Sequence, residues 1–158
     1  VSQGARLWLL VAILVVLHLF LHVGLGLGVA APDLATIGLL LAAREIGLGP
    51  AALVGLLLGL LEDALSVLAF GANSVAMTIV AIGGAFTRDL FVGDSRLFVV
   101  LYFLIGKWVR DVLHWVSVGE GIRQPFVDQV LIQGAIGSVY AAVIGLGLMT
   151  LAASPGDA

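Results

Sequence analysis

The sequence predicts an all-α integral membrane protein with six transmembrane helices, and three observations predict it. Of 158 residues, 61% are apolar and 11% charged, with a mean hydropathy of +1.21, outside the range of water-soluble domains. A bilayer core about 30 Å thick takes about 20 apolar residues per helix, so six crossings use about 120 residues and leave fewer than about 40 for loops and ends. The apolar stretches are continuous and rich in Leu, Ala and Gly, whereas barrel strands would alternate polar with apolar residues.

The first span is expected at 7–27, closed by Gly24, Gly26 and Gly28. It is longer than the apolar part of a signal peptide, and the chain after the cleavage-like Val29-Ala30-Ala31 is equally apolar, so it is read as a retained span. A second span, 33–46, opens at Pro32-Asp33, where proline suits a first helical turn and the carboxylate suits the positive end of the helix dipole. Its roughly 14 residues reach only about 21 Å, so the bilayer is expected to thin there, or flanking glycine-rich segments to continue the crossing. Gly47-Leu48-Gly49-Pro50 makes a turn into a third span at 50–68, followed by a fourth at 72–86. The polar connector Thr87–Arg96 leads to a fifth at 97–118, and Gly119–Pro125 to a sixth at 126–152. The whole of 1–158 is expected to be a single transmembrane domain. With Arg6, Arg44, Arg88 and Arg96 on one side and Arg123 on the other, the positive-inside rule puts both termini in the cytoplasm.

The net charge of −3 and the scattered Lys and Arg offer nothing to nucleic acid. The absence of cysteine removes disulfides, thiolate nucleophiles and thiolate metal sites. The sequence contains no G-x-S-x-G elbow, no H-E-x-x-H and no phosphate loop with its lysine, so no enzymatic activity and no cofactor are expected. Ser66 and Ser74, near the outer ends of their spans, are read as satisfying backbone groups.

Ionisable residues inside a span are costly, so each calls for a partner or a function. Here they concentrate from the middle to the outer half of the spans: His18 and His22, Glu62 and Asp63, Asn73 at the start of span four, then Lys107, Arg110, Asp111 and His114, with Gln129 and Gln133 at similar depth. The span-five group stands at i, i+3, i+4 and i+7, one helical stripe that has to face protein or water. On span three, Ala51, Gly55, Gly59 and Asp63 recur every four residues, a groove of small side chains ending in a carboxylate. Span six repeats the device with Gly137, Ala141 and Gly145 in line with Gln133, and a closely packed helix neighbour is expected along each line, in a tight bundle. Matching depth and opposite charge pair Asp63, with Glu62, to Arg110 or Lys107; the specific expectation is Asp63 to Arg110. The alternative has Lys107 reaching a headgroup and Glu62 protonated against lipid.

The i, i+4 spacing of His18 and His22 could offer two imidazoles to a metal, completed by His114 and Asp63 or Asp111, but such pairs are more commonly interfacial hydrogen-bonding groups and no metal is assigned. As a whole, the polar cluster reads either as a ligand cavity open to the outer leaflet or as an ion-pair network that locks the bundle.

The run Pro32-Asp33, the apolar stretch to Arg44, Gly49-Pro50, the segment Gly55-Leu56-Leu57-Leu58-Gly59-Leu60-Leu61-Glu62-Asp63 and then Gly71 resembles the bacterial rod shape-determining protein MreD family over about forty residues. Within the resemblance, Pro32 and Asp33 match the start of the family's second span, Gly55 and Gly59 its glycine pattern, Asp63 its intramembrane aspartate and Gly71 the glycine opening the next span. Arg44-Glu45, where a more basic pair is common, and the acidic connector with Asp89 and Asp94 depart from it. The resemblance implies a fold like the substrate-binding subunit of energy-coupling-factor transporters. It also implies a non-catalytic inner-membrane subunit of the cell-elongation, peptidoglycan-synthesising machinery. Such a subunit binds the single-span scaffold MreC, for which glycine lines of spans three and six left unused by the bundle are the candidate surfaces, and helps position the synthase pair of RodA and a class B penicillin-binding protein. Contact of Lys107 and Arg110 with a peptidoglycan precursor lipid is a related expectation. The runner-up is a solute-binding subunit of an energy-coupling-factor vitamin or metal transporter, using His18, Asp63, Arg110 or His114.

Overall fold

In the computed structural model, residues 3–26, 31–66, 68–90 and 95–152 are described. They form six α-helices and no strand: α1 (Gln3–Leu19), α2 (Leu34–Ala43), α3 (Leu48–Ala64), α4 (Ala72–Thr87), α5 (Arg96–Ser117) and α6 (Gly134–Ala152). Gly28, the cleavage-like Val29-Ala30 and Asp94 of the acidic connector lie outside the described residues. Two helical segments, Gly4–Gly24 and Val127–Leu151, are long and apolar enough to cross a membrane. The others miss that standard for physical reasons: α2, α3 and α4 are short, and α5 carries Arg96, Lys107, Arg110 and Asp111.

Every residue of α2 is buried. It is packed against α1, α3, α4, α5 and α6, so a helix apolar all round is the middle of the fold. Two connected cores meet along it. Leu34, Ile37, Leu40 and Leu41 join Leu14, Val80 and Phe103 on one side, while Ala35, Leu39 and Ala43 join Ala51, Met77 and Ala81 on the other. The second segment, expected as a short span over 33–46, is helical over its 10 residues Leu34–Ala43 and is enclosed by protein along all of them. The Tyr102 hydroxyl, itself buried, donates to the Leu40 carbonyl at 2.7 Å and ties α5 to this rod.

The small-residue groove of α3 is filled by α4. A Cβ on Gly55 would come within 2.6 Å of the Met77 carbonyl, and one on Gly59 would overlap the backbone of Asn73 and Ser74. The same holds on α6, where a Cβ on Gly145 would run into the Phe103 ring, Gly137 faces the end of Lys107 and Ala141 is buried. The close helix neighbour expected along each line is thus α4 for α3 and α5 for α6, and neither line is left unused for a partner helix. Gly71 turns α3 into α4 with φ of 95°, a left-handed conformation that costs glycine little.

Helices α1 and α6 each carry a π-helical turn, Phe20–Gly24 after α1 and Val127–Gln133 before α6. Their i to i+5 bonds, Leu25 N–H to the Phe20 carbonyl at 2.9 Å and Gly134 N–H to the Gln129 carbonyl, shift the helical register by one residue.

Candidate functional site

Charged side chains from four helices meet at one end of the bundle. Arg110, from the middle of α5, donates to Glu62 at 2.5 Å and to the Asn73 side-chain oxygen at 2.7 Å, and its Nε lies 3.8 Å from Asp33. Lys107, one turn earlier, is bonded to Asp111 on its own helix and lies 3.5 Å from Asp33. Asp111 also lies 3.4 Å from Arg110. On the facing surface of α6, Gly134 leaves room for the Asp111 carboxylate and Gly137 for the lysine. The stripe expected on α5 thus faces protein, and Lys107 is buried, not reaching outward.

The expected partner of Arg110 is corrected. Asp63, fully buried, accepts hydrogen bonds from the backbone amides of Asn73 (3.0 Å) and Ser74 (2.9 Å) and from the Ser74 hydroxyl (2.5 Å). These amides belong to the first turn of α4, where four N–H groups have no helical partner and the dipole is positive, so Asp63 caps α4 from the end of α3. Glu62, one residue earlier and about 100° around the helix, points to α5 and takes the arginine. The Ser74 hydroxyl likewise goes to a carboxylate and not to backbone. Asp63→Ala should strand two buried amides and destabilise the protein by about 2 kcal/mol or more. The check is hydrogen exchange: Asn73 and Ser74 amides should lose protection more than the centre of α4.

Asp33 is the site residue that sequence reasoning placed only as a helix start. It does cap α2, accepting from the Thr36 amide at 3.0 Å and the Thr36 hydroxyl at 2.6 Å. It also faces Lys107, Arg110 and His18. The available signal was its position at the start of the second apolar segment, a carboxylate beside a stretch with no other charge before Arg44.

His18 is buried between two acids, with Nε2 at 3.2 Å from Glu62 and Nδ1 at 3.8 Å from Asp33. His22 stands apart from that contact. Its ring stacks on His18 at 4.0 Å, and its Nδ1 lies 3.1 Å from the His18 carbonyl, which makes that nitrogen the protonated one. His114 is partly buried with an Nδ1 that has no hydrogen-bond partner. Gln133 is exposed and Gln129 half-buried. The structure therefore brings together His18, Asp33, Glu62, Asn73, Lys107, Arg110 and Asp111, sets Asp63 beside them on a separate duty, and does not gather His18, His22 and His114 around one point.

The cluster is packed with its own counter-charges. A cavity of about 310 Å³ lies between Gly47, Leu48, Ala85, Phe86, Arg88 and Asp89, and one of about 440 Å³ on α1 between Ala12, Ile13, Val16, Leu17 and Phe20; neither touches it. Beyond it, the α5–α6 connection is held by Trp115, whose indole donates to the Gln124 carbonyl at 2.8 Å and stacks under Arg123 at 4.4 Å.

No protein-family model, curated protein or solved structure matches this chain.

Proposed function

We propose that this chain is a six-span bacterial inner-membrane protein of the MreD type. In this reading it is a non-catalytic subunit that binds MreC and helps position the RodA and penicillin-binding protein synthase. Support for the membrane reading comes from the outward faces. Leu9, Ile13 and Val16 on α1, Leu53, Leu57 and Leu60 on α3, and Val139 and Val143 on α6 are all exposed, while Asp33, Glu62, Lys107, Arg110 and Asp111 are turned inward. Both termini would be cytoplasmic by the arginine distribution.

The observation that carries the functional reading is that Lys107 and Arg110 are occupied by Asp33, Glu62 and Asp111. Such a cluster joins helices into a rigid body that a partner can grip. It does not present free cations to a solute or to a precursor-lipid phosphate, which favours a scaffold subunit over a solute-binding one. With the glycine lines consumed within the chain, MreC would dock on a leucine-rich outer face.

Co-expression with the MreC-type protein encoded in the same genome tests this by native mass spectrometry after detergent extraction. The expected result is a stoichiometric complex with the single-span protein. A complex instead with an energy-coupling-factor transmembrane subunit and its ATPases, or a bound vitamin-sized solute, would overturn the proposal.

A further inference from the structure

His18, Asp33 and Glu62 come from three separate elements, α1, the approach to α2, and α3, yet one donor atom of each lies within 4.8 Å of the others. His18 is nine-tenths buried, and its Nδ1 has no hydrogen-bond partner; the same is true of Glu62 Oε1, which sits 3.2 Å from His18 Nε2 outside hydrogen-bond alignment. An imidazole gives one nitrogen to an ion, and both choices are near ligand spacing: two ligands at ordinary zinc distances in a tetrahedral shell stand about 3.4 Å apart, against 3.2 Å for Nε2 to Glu62 and 3.8 Å for Nδ1 to Asp33. Glu62 has its second oxygen engaged by Arg110, and Asp33 has Oδ2 engaged by the Thr36 hydroxyl and the two cations, while its Oδ1, which faces His18, accepts from the Thr36 amide and keeps one lone pair. Bonds of this kind orient a carboxylate toward a metal.

Charge points the same way. Asp33, Glu62 and Asp111 supply three carboxylates against the two fixed cations Lys107 and Arg110. An excess of one negative charge in a buried cluster is costly, and a cation held beside His18 offsets it. The imidazole selects against magnesium and calcium, which take oxygen shells, and in favour of zinc-class ions.

We propose that His18, Asp33 and Glu62 bind one divalent zinc-class ion that staples α1 to α2 and α3. The ion is a structural clamp and not cargo, because its ligands are interlocked with the ion pairs that hold the bundle. The site does not depend on the elongation-machinery reading.

The test uses tag-free full-length protein in detergent, stripped with chelator and titrated with Zn²⁺ and with Co²⁺, whose visible spectrum reports coordination. One ion per chain is expected, with a raised unfolding temperature. His18→Gln should weaken binding by at least about tenfold, while His22→Gln and His114→Gln leave it unchanged. Should His18→Gln fail to fold, X-ray absorption of the wild-type zinc form decides, with one imidazole and carboxylate oxygens expected. Absence of stoichiometric uptake, which would mean the charge is balanced by protons, overturns the proposal. So does uptake that survives His18→Gln, or that is lost with His22 or His114 instead.

Discussion

Replacing Arg110 by methionine should lower folding stability by about 3–5 kcal/mol, the range for removing one partner of a buried ion pair. The guanidinium is what Glu62 and Asn73 bond to and what Asp33 faces across 3.8 Å, so its loss leaves carboxylates buried without compensation. The double variant Arg110→Met with Glu62→Gln should recover a large part of that loss, because a neutral pair of similar size avoids the desolvation of both ions. Unfolding of the detergent-solubilised wild type, single and double variants measures both effects. In double-mutant cycles, the Glu62 to Arg110 coupling should exceed the Asp63 to Arg110 coupling by about 1 kcal/mol or more. Equal couplings would contradict the assignment of Glu62 to the arginine and Asp63 to the α4 cap.

Gly59→Ala should have the next largest effect. Its added methyl group meets the backbone of Asn73 and Ser74, and backbone cannot rotate aside as a side chain can. Overpacking of this kind costs about 1–3 kcal/mol. The upper part of that range is expected here, because separating α3 from α4 also pulls Glu62 and Asp63 away from Arg110 and the α4 amides. Gly83→Ala is the matched control. A Cβ there meets nothing, and replacing an exposed helical glycine should raise stability by up to about 1 kcal/mol. If both substitutions behaved alike in thermal unfolding, close approach at Gly59 would not be what holds α3 to α4.

Much of this arrangement is legible in the chain. The i, i+3, i+4, i+7 spacing on α5 fixes one polar stripe whatever the neighbours are, and the four-residue repeat of Ala51, Gly55 and Gly59 fixes a surface that only another backbone can approach. The choice between adjacent acids was not legible. Glu62 and Asp63 have the same charge and the same depth, and they differ by one step around α3. Which of them meets Arg110 depends on how α3 is rotated against α4 and α5.

By itself the sequence determined that the chain folds as apolar helices whose mid-helix ionisable residues share a few faces, because hydrophobic periodicity and the cost of unpaired charge are properties of each segment alone. Only the tertiary structure decided that α2 lies enclosed, that both glycine lines are filled from within, and that Asp33 joins His18 and Glu62. Those outcomes depend on the relative rotation and depth of rods far apart in sequence, and a rotation of one residue, about 100°, exchanges one partner for another.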